Sequence, residues 1–111
     1  MIRAMEKRIL EDGGYEVAVA VDGLEALNFL SNRPFAAVVS DIVMPNMDGL
    51  ALTEHIRSDP QYKDLPIILV TSLASDEDKR RGLEVGASAY IPKPSFDQRV
   101  LLDTLKRLVV T

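Results

Sequence analysis

Cysteine and tryptophan are absent from this chain of 111 residues, and histidine occurs once, at position 55. Without cysteine there is no disulfide framework and no thiolate metal site. A zinc centre or histidine-based catalysis would have to rest on His55 alone, and its polar neighbours in a helical stretch place it on the surface. Basic charge is also short: 13 Lys and Arg against 17 Asp and Glu leave a net −4. That balance argues against nucleic acid as a direct partner, because phosphate binding wants a basic face. No stretch approaches the ~20 apolar residues needed to span a bilayer. The opening MIRAMEKRIL lacks the uninterrupted apolar run of a signal peptide. These absences leave a single acidic domain over 1–111, expected to be soluble and cytoplasmic and long enough to bury a core.

What is present is an alternation of two hydrophobic periods. RAMEKRILED spaces Met5, Ile9 and Leu10 as a helix does and stops at Gly13-Gly14, and YEVAVA at 15–20 reads as a strand. DGLEALNFLSN opens on Asp22 with Glu25 three residues on, a capping pair for a second helix. FAAVV at 35–39 is a continuous apolar strand, followed by the helix GLALTEHIRSD, closed by Asp59-Pro60. PIILV is the next strand, SDEDKRRGLEVG a helix capped by Ser75, AYIP a strand, and SFDQRVLLDTLKRLVV a last helix with Ser95 and Gln98 at capping-box spacing. Strands apolar on both faces and alternating with helices predict an α/β fold with a parallel sheet covered on both sides.

In such open sheets, ligands gather outside the carboxyl ends of the strands. The stretch VVSDIVMPNMDG puts Asp41 there; PIILV delivers Thr71 and Ser72, and AYIP is followed by Lys93. An acid, a hydroxyl and an ammonium at one edge suit the uptake of a phosphoryl group. Asp41 would be the nucleophile, forming an acyl phosphate. Lys93 and Thr71 would hold its oxygens, and Mg²⁺ would supply the remaining charge, with the Val43 carbonyl as a further ligand. Each residue alone has a duller reading: a turn former, a strand terminator, a solvated lysine. Their convergence is the signal.

That pattern resembles the receiver domain of two-component response regulators over essentially the whole chain. SDIVMPNMDG is similar to the signature around the phosphoacceptor, which the resemblance places at Asp41. It implies Thr71 as the switch hydroxyl, Tyr90 as the aromatic switch, and Lys93 as the lysine of a KP motif whose bond to Pro94 is typically cis. It implies a flavodoxin-like doubly wound sheet, Mg²⁺ as cofactor, and a histidine kinase or phosphotransfer domain as partner in a phosphorelay. Output would pass through the helix 76–85, strand 89–92 and helix 97–109. The segment TSLASDEDKRRGLEVGASAYIPKPSFDQRVLLDTLKRL further resembles receivers of chemotaxis-type hybrid histidine kinases.

One departure stands out. A receiver begins with a strand ending in two adjacent acids that hold Mg²⁺, and that strand lies in the middle of the sheet. Here the first acids are Glu6, Glu11 and Asp12, on or after the first helix. The expectation is therefore four strands and five helices, with the first strand and the acidic pair missing. Mg²⁺ would be left with Asp41 and Val43, and phosphorylation impaired. The gap would be filled by a second copy in a homodimer, or closed by 15–20 and 35–40 becoming neighbours. Pro92 removes a ladder donor, tolerable on an edge strand. Two rivals remain: an interaction-only receiver that never carries phosphate, and a haloacid-dehalogenase-type phosphohydrolase. The second would want an acid where Val43 stands.

Overall fold

A computed structural model of the chain describes residues 4–42, 47–71, 75–92 and 98–109. In chain order these form α1 (Ala4–Asp12), α2 (Gly23–Asn32), β1 (Val38–Ser40), α3 (Gly49–Arg57), a short 3₁₀ turn (Pro60–Tyr62), β2 (Ile67–Thr71), α4 (Asp76–Glu84), β3 (Ala89–Pro92) and α5 (Gln98–Leu108). The strands make one parallel sheet in the order β1-β2-β3. β2, in the centre, is buried at every position, which is why its sequence IILVT is apolar without alternation. Its side chains divide between two layers. Ile68 and Val70 join Ile9 and Leu10 of α1 and Leu101 and Leu105 of α5. Ile67 packs with Leu30, Leu52 and Ile56 of α2 and α3, while Leu69 meets Tyr90 and Ile42.

The helix starts follow from short polar side chains. Asp22 Oδ1 accepts from the N–H of Glu25 at 2.9 Å, and Glu25 Oε1 accepts from Val21 at 3.1 Å. Asp48 Oδ1 accepts from Ala51 at 2.7 Å, and Ser75 Oγ from Asp78 at 3.1 Å. The bonds to Glu25, Ala51 and Asp78 each satisfy an amide that the first helical turn leaves without a partner, and the Glu25 carboxylate reaches back to the residue before the cap. α3 runs to Arg57, and Asp59 then caps the turn at Pro60 through the Gln61 N–H. The capping pair expected at Ser95 and Gln98 lies outside the described residues and side chains.

Two expectations about the sheet need correction. Among the described residues three strands form, not four: 15–20 makes no ladder, and β1 is an edge of the sheet. Nor do 15–20 and 35–40 become neighbours in it; pairing starts at Val38, opposite Ile67. The doubly wound parallel architecture holds, with helices on both faces. The composition of 15–20 is that of a strand, but a strand exists only as a partner in a ladder, and no described segment lies beside it to supply one.

Arg57 ties the amino end of the sheet together. Its Nε donates to the Gly86 carbonyl at 2.9 Å, Nη1 to the Tyr62 carbonyl at 2.8 Å, and Nη2 to Ser88 Oγ at 3.3 Å. Partial burial lowers its pKa from the ordinary arginine value, and the Asp64 carboxylate opposes that. Arg57→Met keeps the apolar stem but strands two carbonyls, so a loss of about 2–3 kcal/mol is expected. Thermal melting should read that as a fall of roughly 10–20 °C.

Candidate functional site

Asp41 follows directly on β1 and is 5% exposed. Its Oδ1 accepts from the Ile42 N–H at 2.8 Å, and its carbonyl accepts from Ser40 Oγ at 2.8 Å. The register aligns Ser40 with Leu69, so Asp41 comes level with the last turn of the pleat before Thr71, the buried final residue of β2. Adjacent strands lie about 4.8 Å apart, so the acid and the hydroxyl share the carboxyl edge of the sheet as the sequence predicts. The third member, Lys93, lies outside the described residues, as do Val43, Ser72 and the Lys93–Pro94 bond.

The described chain resumes at Met47 and meets this edge again. The Gly49 N–H donates to the Ile42 carbonyl at 2.8 Å, setting the amino end of α3 against the backbone of Asp41 and Ile42. A Cβ at position 49 would overlap the Asp41 carbonyl and come within 2.9 Å of the Ile42 Cα. Glycine is therefore required there for close approach. Thr53 Oγ1 donates to the Gly49 carbonyl at 2.7 Å and steadies that first turn.

Tyr90 is on β3 opposite Leu69, and its ring lies against Gly82 of α4. A Cβ on Gly82 would meet the ring at 2.7 Å, so the missing side chain is the ring's seat. The sequence read this glycine only as part of a helix. The signal that could have found it is the cost of about 1 kcal/mol for glycine inside a helix, which asks for a packing reason. Burial lifts the Tyr90 phenol above its ordinary value, and the Asp78 carboxylate adds in the same direction. The folded phenol thus holds its proton more tightly than the unfolded one. The stability this supplies is complete below about pH 10 and is lost as pH rises through the folded value. An ultraviolet titration should show a tyrosine ionising above the ordinary range, and Tyr90→Phe should remove that phase.

The donor set at this edge is hard oxygen, the type Mg²⁺ prefers. Among the described residues no group of three or more His, Cys, Asp or Glu comes together in a way that could hold a metal ion. His55 is exposed on α3, away from this edge. Among the described residues no helix is long and apolar enough to cross a membrane.

Comparison with known proteins agrees with this geometry. Residues 1–106 match the family described as response regulator receiver domain. A gliding motility regulatory protein of Myxococcus xanthus is 39% identical over 106 residues, 96% of this chain and 14% of that protein. The chain spans less than half the length of the other curated relatives it matches. Among solved structures, the signal receiver domain of a histidine kinase from Syntrophus aciditrophicus is 40% identical, with a TM-score of 0.84 over 93% of this chain and 77% of that one. The receiver domain of the sensor histidine kinase PA1611 from Pseudomonas aeruginosa, with magnesium coordinated in its active-site cleft, is 29% identical. Its TM-score is 0.83 over 93% of this chain and 84% of that one.

Proposed function

The chain belongs to the response regulator receiver domain family, and on that premise we propose that it is a phosphoacceptor module of a two-component phosphorelay, phosphorylated on Asp41. The observation that carries this reading is a buried acid at the carboxyl edge of a parallel sheet, one strand from a buried threonine hydroxyl. The Asp41 oxygen attacks phosphorus, the bond to the donor's leaving group breaks, and an acyl phosphate forms. Thr71 donates a hydrogen bond to one phosphoryl oxygen, and Lys93 supplies positive charge to another. The donor is a histidine kinase or a phosphotransfer domain.

The consequence of phosphorylation follows from Tyr90. Its ring links β3 to α4 through Gly82, so drawing Thr71 toward the phosphoryl group reshapes the surface of α4, β3 and α5. Mg²⁺ would neutralise the phosphoryl oxygens when bound. Incubation with acetyl phosphate across a magnesium series, followed by intact mass measurement, tests the reading. The expected result is one phosphoryl adduct, growing with magnesium and mapped to Asp41. No adduct at any magnesium concentration would transfer the chain to the interaction-only reading.

A further inference from the structure

One residue joins the acid to the apolar interior. The Ile42 N–H donates to Asp41 Oδ1 at 2.8 Å, and the Ile42 carbonyl accepts from the Gly49 N–H at 2.8 Å. Its backbone is thus engaged on both sides, by the carboxylate and by the first turn of α3. The residue itself is buried. It belongs to a cluster with Leu69 of β2, Ala87, and Tyr90 of β3, against which Leu50 of α3 packs. This cluster is separate from the two that seat helices on the faces of the sheet. Within it, Leu69 stands on the rung that aligns Ser40 with Tyr90 across the three strands.

An aspartate that accepts from the next N–H is ordinary turn chemistry, and by itself it asks nothing of the residue that supplies the N–H. Here that residue is held in a packed interior, where the loss of one methylene is felt by its neighbours. Attack on phosphorus needs a carboxylate oxygen in line with the bond that breaks. A bond of set direction to Oδ1 fixes the plane of the carboxylate, and so the line along which its oxygens meet an incoming phosphorus. Misplacement by about 1 Å can cost about 100-fold in rate.

We propose that Ile42 is a positioning residue for phosphoryl uptake: its buried side chain holds in place the N–H that orients the Asp41 carboxylate. The inference rests on Asp41 as the phosphoacceptor. With acetyl phosphate as donor, an Asp41 oxygen forms the new bond to phosphorus. The bond from phosphorus to the acetyl oxygen breaks, and acetate leaves with that electron pair. The Ile42 side chain takes no part in the exchange; it sets the direction from which the N–H holds the acid. Packing around Leu69 and Tyr90 thereby reaches the reacting group through one residue.

Ile42→Val and Ile67→Val make a matched pair for the test. Each removes one methylene from a buried residue, 4% exposed in the first case and 1% in the second. The first lies in the cluster with Tyr90, the second among Leu30, Leu52 and Ile56. Both should lower the melting temperature by about 3–8 °C. Phosphoryl uptake from acetyl phosphate with magnesium, followed by intact mass, should slow by about 3–10-fold in Ile42→Val alone. The loss should fall on the maximal rate constant and leave the half-saturating acetyl phosphate concentration unchanged. Hydrogen exchange at the amide of position 42 should also speed up in Ile42→Val and not in Ile67→Val. Equal slowing by the two variants would overturn the inference, because both would then act through stability alone. An unchanged rate constant in Ile42→Val would do the same, as would an amide at position 42 that exchanges alike in both. No adduct on the unaltered chain is a separate failure: it removes the phosphoacceptor reading, and the inference with it. An adduct formed equally fast by both variants removes the inference alone.

Discussion

Asp41→Asn is expected to abolish phosphoryl uptake while leaving the fold in place. The asparagine side-chain oxygen can still accept from the Ile42 N–H, as Asp41 Oδ1 does at 2.8 Å. Its amide also fills the volume of the carboxylate at a site only 5% exposed. What it lacks is a nucleophilic oxygen. A fall of about 10⁴-fold or more in the rate of acyl phosphate formation follows, on the scale of removing the nucleophile from other covalent catalysts. Intact mass after treatment with acetyl phosphate and magnesium reads the loss, and thermal melting of the same sample reads the retained fold. An adduct that persists in Asp41→Asn would place the acceptor elsewhere and undo the assignment of this edge.

The second large effect is on the backbone beneath that acid. Gly49→Ala places a methyl group where the Asp41 carbonyl and the Ile42 Cα already are. Both are main-chain atoms, so relief requires moving α3 or the end of β1 and not merely turning a side chain. Overpacking of this sort costs about 1–3 kcal/mol where side chains can yield, and here the upper end or more is expected. For a domain of this size the melting temperature should drop by roughly 10–20 °C. Gly14→Ala is the informative comparison. Gly14 has φ +94°, and nothing lies within 4 Å of the place a Cβ would take, so its cost is the left-handed backbone alone, about 1 kcal/mol. Similar losses for the two variants would mean that the contact at Gly49 relaxes freely.

Much of this arrangement was legible in the sequence because it rests on local chemistry. Asp22, Asp59 and Ser75 sit where a short polar side chain can close a helix or turn, and the continuous apolar run of β2 announces burial on both faces. Asp41 and Thr71 could be placed together because parallel strands send their carboxyl ends to one side. What stayed hidden depends on distant partners. The run at 15–20 has the residues of a strand, and nothing within it reveals that no described neighbour completes a ladder. Gly49 and Gly82 are needed because of what lies against them, Asp41 and Tyr90. Arg57 reads as one more surface cation until Gly86 and Ser88, some 29 and 31 residues on, fold beneath it.

The grip of that arginine has a mechanical corollary. By fastening α3, the 3₁₀ turn and the approach to β3 at one rim of the sheet, it gives that rim a stiffness that the caps at the opposite rim do not match. A disturbance arising around Asp41 then has a fixed base to push against. On the proposed reading, displacement would concentrate at the carboxyl ends of the strands, like a page turning about its bound margin.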